Sequence, residues 1–450
     1  MEDFVGKKVY TKVPRQEAFD RAGKPPITVK WVDVNKGADE VPNSRSRLAA
    51  REIRKKGEDS IFVPTPPLEA LRTTRTLATT PELWAPSWLK RSGPHRMQIS
   101  LADISRAYFN ARTDDKHPVY VDLPPEDPDF GKGLCGRLSG HIYGTRRAAD
   151  GWHCECSEAM EEMGFKVGRS SACVFVHVDK HIVVSVHGGD FTAAGPKSAL
   201  DWFVETLRTR YELKESARLG PAPEEDKEGR VLNRIIRWTD GGIEYEADPR
   251  QSEKLIQELG LKDCKPVATP AVKVTAEQCQ KEEKLPDDKI RHFRALAARG
   301  NYLAVDRPEC QYGAKEVCRF MAAPTNLSVE ALKRLGLYLA GCPRLVFRYP
   351  YQDGVDGVDV YGDTDHAGCL RTRKSTSGGC LMVGRHLVKS WASTQPTITL
   401  SSGEAELYGV VRASADGLGY LSLLSDLNVR TRLRVWTCLL YTSPSPRDRG

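Results

Sequence analysis

The 450 residues are 40% hydrophobic and 28% charged, enough apolar content for packed cores and too much for a disordered or fibrous chain. No apolar run approaches the ~18 residues that a membrane helix needs, and the twelve cysteines form no regular framework, which suits a reducing compartment. The net charge of +7 sits at one end: residues 1–100 hold 19 Lys+Arg against 12 Asp+Glu, so this end is expected to meet a polyanion or else to present a solvated basic surface.

Met1 to Val13 has no apolar signal core, and secretion is not expected. Lys30 to Val34 reads as a strand, and Arg45 to Lys56 as a basic hairpin arm or helix. Pro64, Pro66 and Pro67 break the chain before a helical stretch from Leu68 to Ala78. Met97 to Ile104 reads as a buried strand ending on a carboxylate, Asp103. A helix starts near Ala148, with Trp152 and Met160 among its apolar positions.

Two β-branched runs, Cys173 to Val178 and Ile182 to Val186, flank Asp179-Lys180 as a hairpin, and a second turn, Gly188-Gly189-Asp190, follows at once. Leu200 to Tyr211 has helical spacing, and Arg230 to Glu246 reads as a hairpin around Gly241-Gly242. The charged, turn-rich stretch Lys262 to Pro286 marks a boundary. Arg291 to Ala340 is mostly helical. From Val355 the texture becomes three strands and a helix: Val358 to Gly362, Gly379 to Val383, Leu387 to Trp391 and Ser401 to Leu424.

Two constellations could carry chemistry. A strand-end Asp103 and a hairpin-tip Asp190 are one way to gather carboxylates from different strands around hard divalent cations. Taken singly, the first is a helix cap and the second a turn residue. Asp363 on a strand and Glu404 at a helix start form the other pair, although Ser401-x-x-Glu404 also reads as a capping box. His153-Cys154-Glu155-Cys156 lacks the second ligand pair that a zinc site requires.

In this order and spacing the motifs resemble the reverse transcriptase of Ty1/copia-type retrotransposons. Lys30-Trp31 with Arg45-Ser46-Arg47-Leu48-Ala49-Ala50 is similar to its fingers, and Asp103 to Asn110 to its first catalytic motif. Ile142 to Ala149 with Trp152 is similar to its LYGLKQAPR…W motif, Val186 to Gly195 falls on its YVDD hairpin, and Lys265 to Pro270 on the end of its polymerase region. Tyr361-Gly362-Asp363-Thr364-Asp365, Arg373 to Gly378, Trp391 and Thr399 to Glu406 resemble the ribonuclease H domain of the same elements.

The resemblance implies an α+β protein. It divides into fingers and palm over 1–270, a helical thumb or connection over 271–350 and a truncated ribonuclease H-like domain over 351–437. It also implies Mg2+ or Mn2+ held by Asp103 and Asp190 for polymerisation and by Asp363 and Glu404 for RNA hydrolysis, these four being the catalytic carboxylates. Arg45, Arg47 and Arg147 would meet the triphosphate and Tyr108 would press on the sugar. Asp365 and Glu406 look secondary. The implied partners are an RNA template, a DNA primer, an RNA–DNA hybrid, deoxynucleoside triphosphates and other parts of the polyprotein, with no membrane. The implied location is the cytoplasm, in virus-like particles, and the nucleus.

Three departures count against full activity. His187-Gly188-Gly189-Asp190 lies over the family's Tyr-x-Asp-Asp, so Gly189 replaces a metal ligand. Arg147 stands where the family has Gln and Asp150 where it has Arg. After Thr437 the family continues with an acid, whereas residues 438–450 read as a translated sequencing adapter and are set aside from the fold. Two readings compete: an impaired RNA-directed DNA polymerase with a ribonuclease H region, and a relic that binds nucleic acid without catalysis.

Overall fold

The computed structural model describes residues 8–35, 44–54, 56–57, 60–83 and 96–438; most of the 438–450 tail lies outside them. Its architecture is α+β, with a six-stranded antiparallel sheet at its centre. The strands run in the order Leu213–Leu219, Met97–Ile104, Asp190–Pro196, Ile182–His187, Val174–His177, Lys166–Val167. Asp179-Lys180 and Gly188-Gly189 make the two expected turns.

This sheet is buried on both faces, which explains the unbroken β-branched runs. Ile182, Val184, Val186 and Phe191 pack with Trp152, Met160, Phe203 and Leu207 from the helices Ala148–Glu162 and Lys197–Arg210. Val174, Val176 and Val183 pack instead into a second core with Leu77, Val358, Val360, Leu381 and Leu424. An antiparallel sheet with one wet face would alternate apolar and polar residues; this one cannot.

The helix Leu68–Thr79 lies between the central sheet and the C-terminal sheet, with ten of its twelve residues buried. Most of its polar side chains bond inward, while Thr76 Oγ1 and Arg75 Nε and Nη2 are buried without a hydrogen-bond partner. Thr73 and Thr74 donate to the carbonyls of Glu69 and Leu71, and Thr79 to that of Arg75. Arg72 donates to the carbonyls of Val388 at 3.0 Å and Val305 at 2.8 Å, and to Asp306 at 3.3 Å. Arg75 rests 4.0 Å from the Tyr245 ring centroid. The basic excess of the first hundred residues is therefore partly internal, since Arg72, Arg75 and Arg96 are all buried.

The C-terminal sheet has the order His386–Thr394, Thr376–Val383, Gly357–Thr364, Arg432–Thr437. The last strand runs parallel to Gly357–Thr364, reached through the helix Ser402–Asp426 that covers one face. Between the two sheets in sequence lie the helices Pro249–Glu258, Asp287–Ala304, Gln311–Cys318 and Asn326–Gly341, packed around Phe293, Leu296, Val317, Leu332 and Leu335. The basic segment expected as a hairpin arm or helix begins as the strand Ser44–Ala50, paired with Val29–Asn35. Val346–Pro350, in the stretch expected to be helical, is a strand paired with Gly242–Glu246. Among the described residues no helix is long and apolar enough to cross a membrane.

Candidate functional site

Asp103 is the second-to-last residue of its strand and Asp190 the first of the neighbouring one, and the antiparallel register makes them direct partners. The same row continues to Lys214 beyond Asp103 and to His187 beyond Asp190. Side chains directly opposite share a face, so two carboxylates meet at a wet sheet edge. The Gly188-Gly189 turn that leads into Asp190 is held from two sides. The Ile104 N–H donates to the Gly189 carbonyl at 2.9 Å, and the Trp152 indole N–H donates to the Gly188 carbonyl at 2.7 Å.

Gly189 points into this pair. A Cβ there would lie 3.2 Å from Asp103 Oδ1, 2.9 Å from the Ile104 carbonyl oxygen and 3.3 Å from Ala107 Cβ. A side chain at 189 would thus reach Asp103 after a small shift of the hairpin.

Tyr108 lies in the short 3-10 turn Ala107–Asn110, entered through Arg106 at φ 53°. Its ring is 4.8 Å from that of Tyr143, over which the Arg47 guanidinium sits at 5.0 Å. Arg45 and Arg47 alternate along one strand and share a face. Arg147 is exposed at the N-cap of the Ala148–Glu162 helix. Thus Arg47 and Tyr108 are brought together, while Arg147 is set at a helix end.

At the C-terminal sheet the two helix acids have different surroundings. Glu404 is turned to the helix start: its Oε2 accepts from the Leu400 N–H at 2.7 Å, and its own N–H donates to Ser401 Oγ. Glu406 is the residue beside Asp363. Burial, and then the Asp363 charge, push its carboxyl above the ordinary value, against hydrogen bonds from the Thr364 backbone and the Thr437 side chain. Glu406 Oε2 is buried without a hydrogen-bond partner. Two residues along a helix turn the side chain by roughly 200°, so the two acids leave the helix on opposite sides of the buried Ala405. Asp365 Oδ1 accepts from the Thr376 N–H at 2.6 Å and braces its own loop.

Position 438 follows Thr437, the partner of Gly362, and so comes next to Asp363; the chain has Cys438 there. Among the described residues no three His, Cys, Asp or Glu side chains gather as a metal site, His153 to Cys156 included. Each carboxylate site presents a pair.

A family model described as reverse transcriptase (RNA-dependent DNA polymerase) matches residues 17–273, more than half of the chain. The chain is similar to the retrovirus-related Pol polyproteins from transposons RE2 and RE1 of Arabidopsis thaliana. Identity is 27% over 341 residues and 28% over 348, covering 74% and 76% of this chain and 22% of each relative. It therefore spans about a fifth of the length of those curated relatives. A solved structure of the foamy viral protease-reverse transcriptase in complex with RNA/DNA hybrid is similar at a TM-score of 0.48 and 10% identity, covering 97% of this chain and 47% of that one. The chain belongs to the reverse transcriptase (RNA-dependent DNA polymerase) family, as a region of a copia-type retrotransposon polyprotein.

Proposed function

We propose that the chain carries a DNA-polymerising site on the central sheet, weakened at Gly189, and an RNA-cleaving site on the C-terminal sheet. The observation that carries the first is the register that sets Asp103 opposite Asp190 with Gly189 aimed at Asp103. The second rests on Asp363 beside Glu406. Both donor sets are hard carboxylate oxygens suited to Mg2+ or Mn2+, and the orphaned Glu406 Oε2 fits such an ion. Asp103 with Asp190, and Asp363 with Glu406, would hold it. When bound, the ion supplies charge neutralisation and activates the attacking oxygen.

The side chains of the chain itself do the positioning. Arg47 and Arg45 present planar guanidinium forks to triphosphate oxygens. Tyr108 presents a ring wall to the sugar and leaves no room for a 2′-hydroxyl. The basic hairpin suits an RNA template with a DNA primer and, downstream, an RNA–DNA hybrid. Other polyprotein parts complete the assembly, in cytoplasmic particles and the nucleus.

Gly189 supplies no carboxylate where the family has one, which should lower metal affinity and rate by orders of magnitude. Primer extension on poly(rA) with Mg2+ tests this. Negligible extension is expected from the unsubstituted chain, and at least a tenfold gain from Gly189→Asp. Ordinary rates without the substitution would sink the impairment. A folded Gly189→Asp with no gain favours the second reading, a relic that binds hybrid without extending it, to which Gly189 points.

A further inference from the structure

Tyr143 is an aromatic side chain beside Tyr108 to which the roles above give no part. Its ring contacts Tyr108 at 4.8 Å and Phe109 at 6.2 Å, centroid to centroid, and carries the Arg47 guanidinium at 5.0 Å. Arg47 Nε is buried without a hydrogen-bond partner, and no ion pair holds Arg47 among the described residues. The three groups also sense one another. Burial raises the Tyr108 phenol above its ordinary value, Tyr143 adds to the rise and the Arg47 charge opposes it.

The backbone beneath the ring is tied to the arginine strand. The Ala50 N–H donates to the Tyr143 carbonyl at 2.8 Å and the Glu52 N–H to the Gly144 carbonyl at 3.3 Å. The Arg146 N–H returns a bond to Glu52 Oε2 at 2.9 Å. Gly144, at φ 83°, comes so close that a Cβ would lie 2.0 Å from the Ala50 carbonyl oxygen. The tyrosine turn and the Arg47 strand are therefore locked in register.

We propose that Tyr143 is the positioning residue that couples the two ends of the nucleotide pocket, holding Arg47 for the triphosphate while backing Tyr108 against the sugar. This rests on the nucleotide-pocket reading above. A cation–π contact in a partly desolvated setting is worth about five- to thirty-fold in binding. Because one ring serves both partners, its loss should weaken triphosphate affinity and sugar discrimination together.

The test measures binding of dATP and of ATP, with Mg2+, to the full chain on a dideoxy-terminated primer and RNA template. Tyr143→Leu is expected to weaken dATP binding about five- to thirty-fold and to narrow the dATP/ATP ratio. Tyr143→Phe, which keeps the ring, should retain both. The inference alone is overturned if Arg47→Ala weakens dATP binding while a folded Tyr143→Leu leaves affinity and ratio unchanged, or if Tyr143→Phe loses as much as Tyr143→Leu. An unsubstituted chain that binds neither nucleotide overturns the pocket reading and the inference with it.

Discussion

The Trp152 indole N–H reaches from a buried helix position to the Gly188 carbonyl at 2.7 Å, so the turn that presents Asp190 is pinned by a residue 36 positions upstream. The ring also packs edge-on against Tyr211 at 5.5 Å, which fixes its orientation.

Trp152→Phe keeps most of the apolar area and removes the donor. A net loss of about 1–2 kcal/mol is expected, since the Gly188 carbonyl loses its partner. Urea unfolding measures it, and an unchanged midpoint would show that the turn holds itself.

The two glycines of that turn should respond oppositely to substitution. Gly188 has φ 61° and open space around its missing Cβ, so Gly188→Ala costs about 1 kcal/mol through backbone conformation alone. Gly189 has no such φ but a tight neighbour, the Ile104 carbonyl. Gly189→Asp should lose stability in chelator and regain it with Mg2+, while Gly188→Ala gains nothing from the ion. Thermal midpoints with and without Mg2+ separate the two.

Glu406 should set a pH dependence opposite to that of a salt-bridged acid. Its folded pKa lies above the unfolded one, so ionisation costs stability at neutral pH, and the cost disappears as pH falls through the raised pKa toward the ordinary glutamate range. Glu406→Gln is therefore expected to raise the thermal midpoint at pH 7, with the gain shrinking to nothing near pH ~4. An equal gain at both pH values would mean that charge is not the cause.

The contrast between Glu404 and Glu406 shows where sequence reasoning runs out. Ser401 followed by Glu404 is a local signal, and the helix start it marks is where the structure has it. Which acid faces Asp363 depends on how the helix is rotated on the sheet, a tertiary fact. The two hairpins were legible because β-branched runs bracket Asp-Lys and Gly-Gly turns. Leu213–Leu219, with the sequence Leu-Lys-Glu-Ser-Ala-Arg-Leu, escaped notice because an edge strand can stay largely polar. Asp103 and Asp190 could be named as a pair, yet only the register makes them neighbours. The Leu68–Thr79 helix was legible as a helix but its burial was not, because nothing local says that Arg72 and Arg75 will find partners indoors.

Arg72 tests that last point. Asp306 accepts from Arg72 and from Arg234 at 2.8 Å, both ends being buried. Arg72→Met removes one cation and leaves the Val388 and Val305 carbonyls without this donor. A loss of about 3–5 kcal/mol is expected in urea unfolding. A loss below about 1 kcal/mol would show that Arg234 alone satisfies Asp306.

The Leu68–Thr79 helix also sets a schedule for synthesis. Arg72 waits for Val388, 316 residues later, and Thr73 for the Tyr420 hydroxyl, 347 residues later. At the usual pace of translation those partners leave the ribosome roughly 15–70 s after the helix does. Until then a threonine-rich segment destined for the interior is only partly covered, with Leu77 missing its Val358, Leu381 and Leu424 neighbours. The upstream half is thus born dependent on the downstream half, and expressing residues before 345 alone should yield a chaperone-bound or aggregated product.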